Sequence, residues 1–419
     1  MSERREFRDL ASAAELRAAV ADLDLGGGTE RVPLGDARGR VLAERIDAGI
    51  DVPGFDRASM DGYAVCAADT FGADEADPVE LDLVGAVHAG AEPDVTVEEG
   101  VAAEISTGAV MPPGADAVVM VERTTERDGA VAVRTAVAPG DNVMVAGADV
   151  AAGARALGPG TEITPREIGL LSALGVDAVP VRRAPRVGII STGDELVRPG
   201  GDLDSAAGEI YDVNSYTIAA GVEEAGGDSV IYPHAGDDYD EMERLLHEAA
   251  DECDLVLSSG STSASAVDVI YRVVEDRGEL LLHGVAVKPG KPTIVGRLGG
   301  AAYVGLPGYP VSALTIFRTF VAPGIRAATG KPDPATATVT GEMAVQERFA
   351  EGRRRLLPAG LVEDGDGDTL VYPVDKGSGA TTSLVEADGV VEVGPDTDYL
   401  AAGETVTVTL FSPDVRAPT

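Results

Sequence analysis

Lysine is almost missing from this chain. Of the 33 Lys and Arg among its 419 residues only four are lysine, Lys288, Lys291, Lys331 and Lys376, set against 71 Asp and Glu and a formal net charge of −38. A surface this negative lacks the basic footprint that binding to a phosphate backbone needs, which excludes nucleic acid as a partner. Cysteine is equally scarce: Cys66 and Cys253 are too few for a disulfide framework and too far apart for a CxxC motif, so both are expected to be small buried hydrophobes. No run of about 18 apolar residues occurs, which excludes a spanning helix and a membrane partner, and residues 1–6 (MSERRE) open the chain with charge and no apolar leader segment. A soluble, cytoplasmic protein is expected. The four histidines, His88, His234, His247 and His283, show no metal-ligand spacing.

Charge self-repulsion on this scale is tolerated where salt screens it, and at molar salt the Debye length falls to about 3 Å. The composition therefore reads as a halophile's surface. A lone Asp is then weak evidence for a site, whereas each surviving lysine gains weight. Apolar residues make up 44% of the chain, enough for a sizeable core, and the length suggests about three domains.

Ser12 and Glu15 form a capping box that opens a helix running to about residue 24, and Thr164 and Glu167 do the same with Pro165 at the first helical position and Gly175 as the stop. Residues 1–52 and 149–185 are read as a discontinuous helical and β N-terminal domain. Between them, residues 53–148 carry short β-rich runs at 80–87, 101–106, 117–122 and 130–135 broken by Gly, Pro and Asp, an inserted β domain. From 186 to 328 the rhythm changes to apolar strand, glycine-bearing loop, helix: strands begin at 186, 254 and 302, and helices fit 214–225, 240–251, 266–276 and from about 311. That alternation predicts a doubly wound α/β domain whose ligand lies at the carboxyl ends of the strands. From 329 to 419 short strands return at even spacing and predict a small C-terminal β-barrel. The acidic stretch 363–368 reads as a hairpin turn, since Thr369 stands where a calcium loop needs glycine.

Three polar loops gather at one edge of that sheet: Ser191, Thr192 and Gly193 after the first strand, Ser259, Gly260 and Ser263 after the second, and Pro307 and Gly308 after the third, with Ser312 in the helix that follows. Glycine turns and helix N-termini offer backbone N–H groups to anions, so three in register predict a phosphate or pyrophosphate site. The stretch VKPGKPT supplies its cations, with prolines stiffening the backbone on either side of Lys288, Gly290 and Lys291. Glu195, Asp194, Asp237, Asp238 and Asp268 fall near the same strand ends and suit Mg2+ shared with substrate phosphates. Asp268 is the strongest, because it follows the serine-rich loop and precedes an apolar helix face. In the inserted domain the turn around Asp61 and the tight turn at Thr107 read, on residues alone, as linkers.

Taken in order, FDRASMDGYA (55–64), STGDEL (191–196), IYDVN (210–214), the loop ending at Asp268, VKPGKP and LPGYPVSA (306–313) resemble the molybdopterin molybdenumtransferases, the MoeA family that includes the E domain of gephyrin. The resemblance covers nearly the whole chain and, with the acidic composition, marks a haloarchaeal-type variant. It implies an elongated homodimer with composite active sites. It also implies insertion of molybdate or tungstate into adenylylated molybdopterin with Mg2+ and release of AMP, in molybdenum cofactor biosynthesis, with a molybdopterin adenylyltransferase as partner. The alternatives are the adenylyltransferase reaction itself and a non-catalytic pterin-binding scaffold. By the same resemblance the functional acids fall on Asp61, Glu195, Asp237 and Asp268, the hydroxyl on Thr107 and the phosphate-binding lysine on Lys288, with Lys291 beside it. Some positions depart from the family pattern: GSTSASA (260–266) replaces a loop that usually ends in glutamate, Gly284 stands where many members are basic, Tyr309 replaces Asn, and 142–149 lacks the usual arginines and glutamate.

Overall fold

Alternate residues of three buried strands point to two different helical layers, and this sets the architecture of the larger part of the chain. Val187 and Ile189, Leu255 and Leu257, and Val304 and Leu306 pack with Ile218, Val222, Ile316 and Phe317 on one face. Ile190, Val256 and Tyr303 pack with Met242, Leu245, Ala249 and Val273 on the other. Burying each Leu, Ile or Val side chain contributes roughly 1.5–3 kcal/mol. The computed structural model describes residues 10–236, 238–260, 264–334, 337–349, 352–374, 376–377 and 379–412, with the backbone alone at 264–269. The chain divides into two units, one of Met1–Glu30, Gly39–Val41 and Val181–Thr419 and the other of Arg31–Arg38 and Leu42–Pro180.

The first unit holds a six-stranded sheet in the order Asp228–Ile231, Arg186–Thr192, Leu255–Gly260, Ala301–Leu306, Ile294–Leu298, Gly278–His283. The first four strands are parallel and Ile294–Leu298 runs antiparallel to both its neighbours, so the doubly wound α/β expectation holds with one reversed strand next to the edge. Helices Asn214–Glu224, Tyr239–Glu252 and Ala264–Arg277 supply the crossovers. Helix Ala13–Ala21 opens with the expected capping box, Glu15 N donating to Ser12 Oγ at 3.2 Å and Ser12 N to Glu15 Oε2 at 2.7 Å, but ends three residues earlier than expected. Cys253 is buried as expected, whereas Cys66, in the second unit, is only partly so.

In the same unit, strands Arg354–Glu363, Thr369–Pro373, Thr338–Met343, Thr405–Leu410 and Gly389–Val393 pair in sequence, and the last pairs back onto the first. The C-terminal barrel is therefore closed, leaving no long exposed edge among these five strands. The turn at Asp364 is a hairpin, its Oδ1 accepting from Asp366 N at 2.9 Å and Asp368 N at 3.0 Å.

The second unit is built on a six-stranded sheet, Ala117–Met120, Gly62–Val65, Val101–Ile105, Val79–Val87, Ala130–Val133, Thr124–Arg127, and on helix Pro165–Ala173. That helix has the expected box: Thr164 N donates to Glu167 Oε2 at 2.9 Å, and the left-handed Gly175, φ 71°, follows its end. Among the described residues no helix is long and apolar enough to cross a membrane.

Candidate active site

Where the parallel strands of the first unit end, a cavity of about 570 Å3 opens between Thr192, Ser259, Gly260 and Gly308. The residues read as loops here are the last strand pairs: Ser191 lies opposite Ser259 and Thr192 opposite Gly260. Pairing extends this far because position 260 is glycine, with φ 135° and no room for a Cβ, which would run into the Thr192 carbonyl and hydroxyl oxygens.

The floor of the cavity is Asn214, the first residue of its helix. Asn214 Nδ2 donates to Ser259 Oγ and to the Gly308 carbonyl, both at 2.7 Å, and Ser259 Oγ donates in turn to Pro307 O at 3.3 Å. Asn214 Oδ1 is buried and has no hydrogen-bond partner.

Beneath the floor lies Asp212, its side chain only 1% exposed. Its Oδ1 accepts from Ser215 N at 3.0 Å and Ser191 Oγ at 3.1 Å, and its Oδ2 lies 2.9 Å from His234 Nε2. Burial pushes this carboxyl up, but the hydrogen bonds from Ser215, His234 and Ser191 outweigh it and hold it below the usual carboxylate range. The network fixes the start of helix Asn214–Glu224 and, through it, Asn214.

Several expected ligand contacts are therefore structural. Ser191 is fully buried, with its hydroxyl committed to Asp212 and Ser215, and the Ser259 hydroxyl serves Asn214 and Pro307. Pro307 is buried and contributes its carbonyl inward, and Ser312 is buried in helix Pro310–Ile316. Gly290 packs so closely on Ile316 that a side chain has no room. Thr192, Gly193, Gly260 and Gly308 do line the cavity, and the Thr192 hydroxyl is buried without a partner.

Of the acids, Glu195 and Asp194 stand exposed at the cavity mouth. Asp238 is a helix cap, its Oδ1 accepting from Glu241 N at 3.0 Å. Asp237, Ser263 and the side chain of Asp268 lie outside the described residues. Among the described residues no group of three His, Cys, Asp or Glu converges as a metal cage.

The lysine motif sits differently from its expected place in one common pocket. Strand Val287–Lys288 pairs in parallel with Arg354 and Arg355 of the barrel, so Lys288 lines a separate cavity of about 290 Å3 with Arg355, Pro289 and Ser383. Arg355 Nε and Ser383 Oγ are buried there without hydrogen-bond partners, while the Arg355 guanidinium lies 4.8 Å from the Phe349 ring centre. Lys291 is half-buried, and its carbonyl accepts from Val285 N at 2.9 Å.

In the second unit, strand Gly62–Val65 pairs antiparallel with Val101–Ile105, with Gly62 opposite Ile105. This register brings together Asp61 and Thr107, 46 residues apart: Asp61 Oδ1 accepts from Thr107 N at 2.6 Å and Thr107 Oγ1 at 2.8 Å. The backbone and then the hydroxyl hydrogen bond from Thr107 hold the Asp61 carboxyl below its usual range. An exposed carboxylate fixed in one rotamer is suited to orienting a partner group or water.

Asn214, Asp212 and His234 were not assigned roles from the sequence. Asp212 and Asn214 lie in the IYDVN segment quoted above, at the start of a helix, and His234 carries no sequence signal. Tyr309 stands exposed at the cavity and faces the backbone of Gly379, a further wall residue contributed after the barrel strand Thr369–Pro373.

Three family matches run along the chain in order: the MoeA N-terminal region (domain I and II) at residues 8–175, a probable molybdopterin binding domain at 188–327, and the MoeA C-terminal region (domain IV) at 340–411. The molybdopterin molybdenumtransferase 2 of Mycobacterium tuberculosis is 37% identical over 400 residues, covering 94% of this chain and 97% of that protein. The chain belongs to the molybdopterin molybdenumtransferase, or MoeA, family. Another relative, the molybdopterin molybdenumtransferase of a Nostoc species, is 32% identical over 398 residues, 93% of this chain and 90% of its own. Among solved structures, a molybdopterin biosynthesis MoeA protein from Pyrococcus horikoshii is 39% identical, with a TM-score of 0.80 over 96% of this chain and all of that one. The MoeA fold and the enzyme class implied by the ordered motifs both hold.

Proposed function

We propose that this enzyme inserts molybdate or tungstate into adenylylated molybdopterin and releases AMP, the reaction class its relatives' names carry into cofactor biosynthesis. One observation supports it above the rest: a cavity of about 570 Å3 at the carboxyl ends of the sheet, lined by Thr192, Asn214, Gly260 and Gly308. That volume falls within the range of small-molecule sites. Backbone amides at Gly260 and Gly308 lie where a phosphate would pass the strand ends.

Glu195, with Asp237 and Asp268, is proposed to hold Mg2+; Asp194 and Glu195 at the mouth are oxygen donors of the kind that ion takes. When bound it would neutralise charge on the phosphoanhydride oxygens. Lys288, Arg355 and Ser383 are proposed to receive the oxyanion, the two buried orphan atoms being donors that an oxyanion would satisfy. Asp61, held charged by Thr107, orients the attacking group. In the dimer implied by the resemblance, Asp61 and Thr107 of one subunit serve the cavity of the other. Exchange between inactive Asp61→Ala and Lys291→Ala subunits then restores about a quarter of wild-type turnover, while no recovery after demonstrated exchange removes that arrangement.

Incubating the pure protein with adenylylated molybdopterin, Mg2+ and molybdate or tungstate tests the main reading. AMP together with metal-bound pterin supports it. ATP-dependent formation of the adenylate would make the chain an adenylyltransferase instead, and pterin binding without turnover a scaffold.

A further inference from the structure

A third space, of about 520 Å3, opens away from the strand ends between helix Asn214–Glu224, the helical run 310–329 and the barrel strands Gly389–Val393 and Thr405–Leu410. Its walls are largely apolar, with Phe317, Leu410 and Phe411 among them, yet two arginines enter it, Arg318 and Arg326. They lie eight residues apart on one helical run whose π-helical stretch Phe317–Val321 widens the intervening turn, and both reach the same cavity.

Neither guanidinium is conventionally paired. Arg318 donates to the Phe411 carbonyl at 3.1 Å and lies 4.6 Å from the Phe411 ring centre. Arg326 is 16% exposed, its Nε is buried without a hydrogen-bond partner, and its ion-pair neighbour, Asp333, is 3.7 Å away and 85% exposed. Glu392 on the wall is paired with Arg354, and Glu224 attracts Arg318 without a hydrogen bond. Burial depresses the Arg318 guanidinium; Glu224 opposes this and the like charge of Arg326 adds to it. In a chain with 71 acids, neither arginine has, among the described residues, a carboxylate within hydrogen-bond distance. Two half-buried guanidinium groups of one sign beside an apolar wall leave donors that a dianion with an apolar body would satisfy.

We propose that this cavity binds an organic phosphate monoester, its head between Arg318 and Arg326 and its apolar body against Phe317, Leu410 and Phe411. The proposal is independent of the reaction assigned above. This space and the cavity of about 570 Å3 share helix Asn214–Glu224, which places Glu224 in the one and Asn214 in the other.

Phenyl phosphate is the probe, titrated calorimetrically into the full-length protein in parallel with inorganic phosphate and benzoate. One saturable site is expected for phenyl phosphate, with inorganic phosphate and benzoate each at least about tenfold weaker. Arg318→Gln and Arg326→Gln should each weaken phenyl phosphate about tenfold and leave AMP release unchanged, with Arg326→Lys intermediate. Because Arg318 also packs on Phe411, a second measurement uses unaltered protein: phenylglyoxal modification mapped by mass spectrometry should fall at Arg318 and Arg326 when phenyl phosphate is present. No saturation by roughly 10 mM phenyl phosphate, inorganic phosphate or benzoate binding as tightly, affinity retained by both Gln variants, or unprotected arginines would each overturn the proposal.

Discussion

Replacing Asp212 by alanine removes the buried acceptor under the candidate site and leaves three donors behind. Ser191 Oγ loses little, because Ser215 Oγ lies 2.8 Å away as a substitute. Ser215 N–H has no such alternative, and a buried unsatisfied donor costs about 1–3 kcal/mol. The bond to His234, 2.9 Å from a carboxylate held below its usual range, is charge-assisted and contributes about 1.5–3 kcal/mol. Together these give a loss of about 3–5 kcal/mol, the size found when one partner of a buried charged pair is removed. The chain has no tryptophan and two units that need not unfold together, so a global fluorescence melt is a poor reporter. Amide exchange in peptides covering 186–192 and 214–224 is the better assay. Asp212→Ala should speed it there by roughly a hundredfold to several-thousandfold, and Asp212→Asn, which keeps Oδ1, by only about fivefold. Because the folded-state pKa of Asp212 is depressed, its stabilisation is fully present above the ordinary carboxylate pKa of about 3.9 and is lost as pH falls through the lower folded value. The difference between wild type and Asp212→Asn should thus hold from neutrality down to about pH 5 and shrink only in stronger acid. Exchange within threefold of wild type in Asp212→Ala, or a difference already gone at pH 6, would refute the network's role.

Gly260→Ala places a methyl group against the Thr192 carbonyl at φ 135°, so it should destabilise the strand ends by about 2 kcal/mol or more and abolish ligand binding; a variant as stable as wild type contradicts the close approach. Asp61→Asn keeps the oxygen that Thr107 donates to but loses the charge at an exposed position, so turnover should fall at least tenfold while stability changes by less than about 0.5 kcal/mol; unchanged turnover removes Asp61 from the chemistry. Thermal stability should rise strongly between about 0.1 M and 2 M KCl, across which the screening length shrinks about fourfold, and an unchanged melt would end the halophilic reading.

Much of the fold is legible in the sequence because its signals are local. Ser12 with Glu15 and Thr164 with Glu167 announce helix starts, and the apolar runs at 186, 254 and 302 announce buried strands. Strand ends are less legible: Ser191–Thr192 and Ser258–Gly260 look like loops until each is paired with the other. The site divides in the same way. Thr192, Gly193, Gly260 and Gly308 follow from the rule that ligands gather at strand carboxyl ends. Asn214 and Asp212 do not, since their roles depend on which buried atoms come within about 3 Å of them, a distance no motif encodes. The lysine pair shows the limit most clearly. Its rarity marked it, but Val287 and Lys288 pair with Arg354 and Arg355, 67 residues later, and that pairing moves Lys288 to a different cavity.

The central claim is that oxyanion insertion and AMP release are one coupled reaction whose pterin substrate is held at the cavity lined by Asn214. A single-turnover experiment with protein in excess over adenylylated molybdopterin, in the presence of Mg2+ and molybdate or tungstate, measures it by counting AMP and metal-bound pterin by mass spectrometry. Equal amounts of the two are expected from wild type, and neither from Asn214→Ala, with pterin binding lost in the same variant. AMP release without metal-bound pterin, or undiminished coupled turnover by Asn214→Ala, would contradict the account.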